Sequence, residues 1–298
     1  MPLVPECSAC IINSLRLLIP ILTDSKEEQF KLFSLAYEQL AEGYAKNIEP
    51  APLSIELYRK LYSETGKFDP YFEIKHQSTV AAQKVVPIIE RHINELEGYE
   101  RLRAALSSGI TGNLIDFNTA GHNPDLSLLE EMYHTISKEG FAIDDSEHLW
   151  RSLKSRTGNV VYLADNAGET LFDIPLLRFL KELGWNTTYV VKGKPMINDA
   201  VRVDVETTEI PKLAEIADTG AWAHGVPRQW VSNEFLEIVA QGDLVISKGQ
   251  ANIETFPEIQ REISIETYYV TRAKCPHISQ SIGAKKGDNV VLRRPSVN

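Results

Sequence analysis

Apolar residues in the first half of the chain recur at helical spacing. Phe30, Phe33, Leu35, Tyr37, Leu40 and Tyr44 fall on a near-helical period among lysines and glutamates. Val80, Val85, Ile88, Ile89, His92, Ile93 and Leu96 repeat the pattern, and Pro87 predicts a kink or break within it. Ser54–Tyr62 reads as a shorter helix that Pro52 would start, and Glu100–Leu106 continues the series. The helical pattern holds to about Arg156.

Beyond that point strands alternate with helices. Asn159–Ala164 reads as a buried strand, Leu171–Leu183 as a helix stopped by Gly184, and Asn186–Val191 as a second strand. Lys212–Ala217 and Asn233–Ala240 read as short helices. Asp243–Ser247 and Ile265–Thr271 read as further strands, and Asn289–Arg293 as a last, edge strand. Such alternation predicts a mostly parallel sheet covered on both faces.

Composition narrows the classes. The 298 residues are 43% hydrophobic and 24% charged, which excludes a wholly disordered or fibrous chain. The net charge of −10 disfavours nucleic-acid binding, although it allows a local pocket for one small phosphate. The most apolar N-terminal run, Ile11–Leu22, is interrupted by Asn13, Arg16 and Pro20. It is too short to span a bilayer and does not read as a signal peptide. Three scattered cysteines fit a reducing cytoplasm better than a disulfide scaffold.

Ligands of open parallel sheets bind beyond the carboxyl ends of the strands. Three such ends carry polar groups and a glycine: Asp165-Asn166-Ala167-Gly168-Glu169, Lys192-Gly193-Lys194-Pro195 with Asn198-Asp199, and Lys248-Gly249-Gln250-Ala251-Asn252. Asp165, Asn166 and Asp199 are hard oxygen donors suited to magnesium, manganese or a related divalent ion. The plainer reading of Asp165 is a helix cap. Gly168 would let a ligand approach the backbone, the helix from Thr170 would aim N–H groups at an anion, Lys248 would meet a phosphoryl oxygen with Gly249 leaving room for the ligand, and Asn252 would add a hydrogen bond. The plainer reading of Lys248 is a solvated loop lysine. Dinucleotide, P-loop, GxSxG and HExxH signatures are absent. Ala167 stands where an aspartate-nucleophile phosphatase would have its second aspartate.

Gly112-Asn113-Leu114-Ile115-Asp116-Phe117 sets polar residues among apolar ones, which local turn chemistry alone could explain. Cys7-x-x-Cys10 could pair with Cys275 and His277 as a zinc site; two buried thiols on one helix turn is the favoured reading. His92 and His134 fit helix faces and read as packing residues.

These motifs, in this order, resemble the damage-control phosphatase family, formerly domain of unknown function eighty-nine. The resemblance spans nearly the whole chain, includes Val231-Ser232-Asn233-Glu234-Phe235, and matches the prokaryotic stand-alone branch at Cys7-x-x-Cys10. It implies a Rossmann-like three-layer α/β/α fold with a mostly parallel sheet, preceded by an all-helical N-terminal domain. We divide the chain accordingly into residues 1–108 and 109–298. The family's metal ligands fall on Asp165, Asn166 and Asp199. Its catalytic and substrate-side residues fall on Glu169, Lys248, Asn113, Asp116 and Asn252. The implied cofactor is manganese, cobalt, nickel or magnesium, and the implied substrate a small phosphorylated metabolite, with no nucleic-acid or membrane partner. Water is preferred over Asp165 as the nucleophile. A carboxyl methyltransferase using S-adenosylmethionine is the rival enzyme, disfavoured because only Gly168 follows the first strand; a non-catalytic metal or phosphate binder is the other alternative. After Asp199-Ala200 the chain reads Val201-Arg202-Val203-Asp204, where the family more often has a threonine and a glutamate.

Overall fold

The fold is described from a computed structural model, for residues 1–112 and 126–296. Asn113 and Asp116 therefore lie outside the described residues. The chain opens with helices α1 (Cys7–Leu22), α2 (Lys26–Ala45) and α3 (Pro50–Thr65). Ser25 caps α2 by accepting from the Glu28 N–H, and Pro50 occupies the first turn of α3, two residues ahead of Pro52. The buried face of α2 is Gln29, Leu32, Ala36, Leu40 and Gly43. Phe30 and Tyr37, read as part of an apolar stripe, are instead exposed. The reason is at Gly43: a Cβ there would overlap Leu53, so the helices meet along the row that contains the glycine.

Helix α4 (Phe72–Asn94) runs unbroken through Pro87. The proline forfeits one backbone bond, while Val85, Val86, Ile89 and Ile93 bury on the core side and keep the helix together. Then come α5 (Gly98–Gly112) and α6 (Leu126–Glu139). A two-residue strand, β1 (Ile143–Asp144), interrupts the stretch read as wholly helical, ahead of α7 (Ser146–Ser155).

The α/β part follows as β2 (Asn159–Leu163), α8 (Thr170–Glu182), β3 (Asn186–Val191), α9 (Arg202–Val205), α10 (Ile210–Leu213), β4 (Glu215–Asp218), α11 (Asn233–Ala240) and β5 (Leu244–Lys248). The chain continues through α12 (Gln250–Thr255), α13 (Pro257–Ile263), β6 (Thr267–Arg272), α14 (Pro276–Ile282) and β7 (Asn289–Arg294). Among the described residues the strands form one sheet in the order β1-β7-β6-β5-β2-β3-β4, parallel except between β6 and β7. Two expectations fail here. Residues 215–217, read as helix, belong to β4, whose backbone pairs with β3 from Thr188↔Glu215 onward. Pairing along the open side of β3 overrides the helical preference of the Leu-Ala-Glu run. And β7 is not an edge, because β1 pairs beside it at Ile143↔Val290.

One sheet face, with Tyr162, Tyr189, Ile246 and Tyr268, packs on α4 to α8. The other, with Val161, Val190, Val245 and Leu292, packs on residues of α11 to α14. That makes the three-layer α/β/α arrangement. The core of α1–α3 also takes in Met196, Ala221 and Ala223, residues of the loops that follow β3 and β4. The helical bundle thus sits over the carboxyl end of the sheet.

Candidate functional site at the carboxyl ends of three strands

Strands β2, β3 and β5 lie side by side, so their carboxyl ends open together. The loop after β3 folds back across the loop after β2. Ala200 N–H donates to Asp165 O at 2.9 Å, Ala167 N–H donates to Asn198 O at 2.9 Å, and Asn166 pairs with Asp199 in an antiparallel bridge. The three expected oxygen donors, Asp165, Asn166 and Asp199, are brought together by this crossing. Asp165 and Asp199 are buried. Asp165 does not cap the following helix; Glu169 takes the cap position of α8, without a side-chain capping bond. Asn166 turns its amide nitrogen to Glu169 Oε1 at 2.6 Å, which leaves the amide oxygen as its donor atom.

The electrostatics are those of carboxyls crowded out of water. Burial raises Asp165 above the ordinary range, against the pull of Lys192, Lys274 and Lys248. Burial and the Asp165 charge push Glu169 up to about 8. Burial pushes Asp199 up to about 7, opposed chiefly by Lys192. Asp199 Oδ2 is a buried oxygen with no hydrogen-bond partner. A divalent cation fits this donor set: hard oxygens, excess negative charge, and an orphaned carboxylate oxygen that a cation would satisfy. Among the described residues no three His, Cys, Asp or Glu side chains stand together as a ready cage; the strand-end set is two carboxylates and an amide.

Lys248 is fully buried, not solvated. Its Nζ donates to Asp173 Oδ1 at 2.9 Å. Tyr162 OH donates to the same oxygen and Tyr189 OH to Asp173 Oδ2, both at 2.7 Å. Sequence reasoning missed Asp173. The available signal was one carboxylate inside the apolar run Leu171-Phe172-Asp173-Ile174 of a helix otherwise buried on that side. Gly109 of α5 closes over this group; a Cβ there would stand 3.3 Å from Lys248 Cε.

Four expectations change at the glycines and amides. A Cβ on Gly249, whose φ is +80°, would overlap the Asp165 carboxylate, so this glycine makes room for a side chain of the protein. A Cβ on Gly168 would meet Ser78 of α4 at 2.5 Å, so helix packing accounts for that glycine. The N–H groups of Ala167, Glu169 and Thr170 are consumed by Asn198 O, Asn166 O and Ala167 O, not left for an anion. Asn252 is likewise committed. Its amide nitrogen donates to Ala164 O and Lys248 O, and its oxygen accepts from Lys192 Nζ at 3.1 Å. It ties the three strand ends to one another.

The cysteines converge elsewhere. Cys7 opens α1, Cys10 follows one turn on, and Cys275 precedes α14. The Glu6–His277 pair, 3.5 Å apart, joins the two helix starts. All three are free thiols; Cys7 and Cys275 are half-buried and Cys10 is exposed, which corrects the reading of two buried thiols on one turn, and among the described residues no three such side chains there could hold a metal ion. His92 and His134 stack edge to face with their ring centroids 5.5 Å apart, near Tyr133.

A mostly parallel sheet between helical layers, with charged groups buried at adjoining strand ends beneath a helical bundle, defines a Rossmann-like α/β protein with a candidate site at those strand ends. The family model for the damage-control phosphatase ARMT1-like domain matches residues 3–290, and the chain belongs to that family. A damage-control phosphatase of Pyrococcus horikoshii is 33% identical over 97% of this chain and 96% of its own length. One from Archaeoglobus fulgidus is 29% identical over 97% and 98%. The crystal structure of a DUF89 family protein from P. horikoshii superposes with a TM-score of 0.87 at 31% identity, covering 98% of this chain and 99% of that one.

Proposed function

We propose that this protein is a divalent-metal-dependent phosphatase of small phosphorylated metabolites. The observation that carries the reading is the crossing of the loops after β2 and β3, which sets two buried carboxylates and an amide side by side with an unsatisfied oxygen on Asp199. Family membership and the relatives' names support phosphate-ester chemistry.

In this reading Asp165, Asn166 and Asp199 hold the ion, with manganese, cobalt, nickel and magnesium as candidates. When bound, the ion supplies positive charge to a phosphoryl oxygen. Glu169 orients the Asn166 amide through the 2.6 Å bond, so that the amide oxygen is the donor. Lys248 places a cation beside the phosphoryl group, where charge spreads over the equatorial oxygens. Asp173 keeps that ammonium at a fixed point. Helices α4 and α5 shield the group from water, since Ser78 lies on Gly168 and Gly109 on Lys248.

The test is hydrolysis of p-nitrophenyl phosphate by metal-stripped protein supplied in turn with each of the four ions. We expect turnover only with an ion present. Asp199→Ala should lose metal binding by calorimetry and reduce kcat on the order of 10³-fold. Undiminished metal affinity in that variant would remove Asp199 from the centre, and turnover without any divalent ion would overturn the reading.

A further inference from the structure

Lys192 has no part in the reading above, yet it is the other buried lysine at the strand ends. It follows β3 directly, and its side chain is 1% exposed. Nζ donates to Ala164 O at 2.9 Å and to Asn252 Oδ1 at 3.1 Å. It stands 3.8 Å from Asp199 Oδ2, too far for a hydrogen bond, and that oxygen has none. A buried ammonium is costly unless it is paired, and two neutral oxygens do not neutralise it. Among the charges acting on Asp165 and on Asp199, Lys192 is the largest favourable influence on each.

We propose that Lys192 is a positioning residue for the metal centre: a tethered internal cation that holds Asp165 and Asp199 together when no divalent ion is bound, without taking the oxygen the ion needs. The inference rests on the metal reading of this site. Carboxylates from adjoining strand ends repel strongly where water is scarce. A cation anchored by Ala164 O and Asn252 lowers that repulsion from one side. The anchors also keep the ammonium from closing the last gap to Asp199 Oδ2. Once a divalent ion is bound, Lys192 is a like charge beside it. The two cations therefore share one pair of carboxylates, and each must weaken the hold of the other by the same factor.

The test reads thermal unfolding of purified full-length protein, stripped with chelator and then with saturating Mn²⁺. In Lys192→Met the metal-free melting temperature should fall on the order of 5–10 °C, because one partner of a buried charge group has been removed. Mn²⁺ should restore most of that loss, so its stabilising shift should exceed the shift in wild type. Adding Asp199→Asn to Lys192→Met should raise the metal-free melting temperature back toward wild type, since the orphaned carboxylate is gone. Failure of Asp199→Asn to restore stability overturns the proposal, whatever Mn²⁺ does. Where wild type responds to Mn²⁺, a shift in Lys192→Met no larger than its own also overturns it, and Lys192 is then a packing residue. If Mn²⁺ does not shift wild type at all, the metal reading fails, while the metal-free double variant still decides the role of Lys192. Should Lys192→Met not fold, Lys192→Gln keeps a polar end for Ala164 and Asn252 and is measured the same way.

Discussion

The two ends of the same strands make opposite use of polar residues. At the amino ends of β2, β3 and β5 the polar groups are Asn159, Asn186 and Asp243, held by surface bonds such as Asn159 N–H to Asp243 Oδ2 at 2.8 Å. A cavity of about 600 Å³ opens there, lined by Asn159, Trp185, Asn186, Thr187, Glu215 and Gln241 among others. At the carboxyl ends Asp165, Glu169, Asp173 and Asp199 face Lys192 and Lys248, all buried. Open volume alone therefore does not mark the better site. Water screens the charges at the amino ends, so they carry little energy and little chemistry. Charges at the carboxyl ends are desolvated, each depends on its partners, and their energies are large enough to act on a substrate.

The comparison is most severely tested at Lys248 and Asp173. Lys248→Met should lower kcat about 10²- to 10³-fold, the cost of one charge-assisted contact in a water-poor site. Asp173→Asn keeps the shape but leaves Lys248, Tyr162 and Tyr189 sharing one acceptor oxygen. It should lower kcat about 10- to 100-fold, as loss of an orienting partner does, and destabilise the fold by about 3–5 kcal/mol, as loss of a buried ion partner does. Neither side chain is a proposed ligand, so the melting-temperature shift produced by Mn²⁺ should survive in both. Kinetics and calorimetry on the same preparations check this. Loss of the Mn²⁺ shift in Lys248→Met would move Lys248 into the metal shell.

A smaller effect separates the two ends by pH. His224 follows β4 in a loop that reaches the bundle, where its Nε2 lies 2.9 Å from Ser54 Oγ and its ring beside Tyr58. Burial, with Lys192 and Arg59 nearby, pushes it down from 6.5 to about 4. Below pH 6.5 the unfolded chain accepts a proton that the folded imidazole refuses. The contribution is thus whole above 6.5 and lost as pH falls toward 4, at most about 3 kcal/mol. The raised carboxyls of the site act in the opposite sense, so the quantity to measure is the difference between wild type and His224→Gln. The stability of wild type relative to His224→Gln should fall steadily in denaturant titrations from pH 6.5 to 4. A flat difference would mean that His224 takes up its proton alike in the folded and the unfolded chain, and that the bundle contact does not exclude it.

Much of the α/β part was legible because β2, β3 and β5 are short apolar runs, each followed by polar residues and a glycine, a signal local in sequence. That signal points to Asp165, Asn166 and Asp199 as candidates, and Glu169 enters only through the family resemblance. What escaped depends on partners far along the chain. Strand β4 exists because β3 has a free side, and β1 because β7 does. Asp173 matters because Lys248 and two tyrosines from other strands converge on it. The glycines at 168 and 249 looked like room for a ligand, yet they accommodate Ser78 and Asp165. Phe30 and Tyr37 looked like core, but the row through Gly43 gives closer helix contact. Local pattern reveals that an element or polar cluster exists; only the packed structure shows what each side chain spends its contacts on.

The amino ends offer the smallest effect and a control for the whole comparison. Arg156 stands 3.7 Å from Asp243 and 3.9 Å from Glu266, with its side chain 46% exposed, and reaches Asp243 O at 3.3 Å. These are solvent-screened contacts at the far end of β2 and β5. Arg156→Ala should change stability by less than about 1 kcal/mol. It should leave kcat and the Mn²⁺ shift unchanged, because no buried charge loses a partner. The salt dependence carries the finer information: whatever stability Arg156 does contribute should fade between low and high ionic strength, whereas the loss in Asp173→Asn should persist. A tenfold fall in kcat for Arg156→Ala would mean that the strands transmit changes from one end of the sheet to the other, and the separation between a screened end and a reactive end would no longer hold.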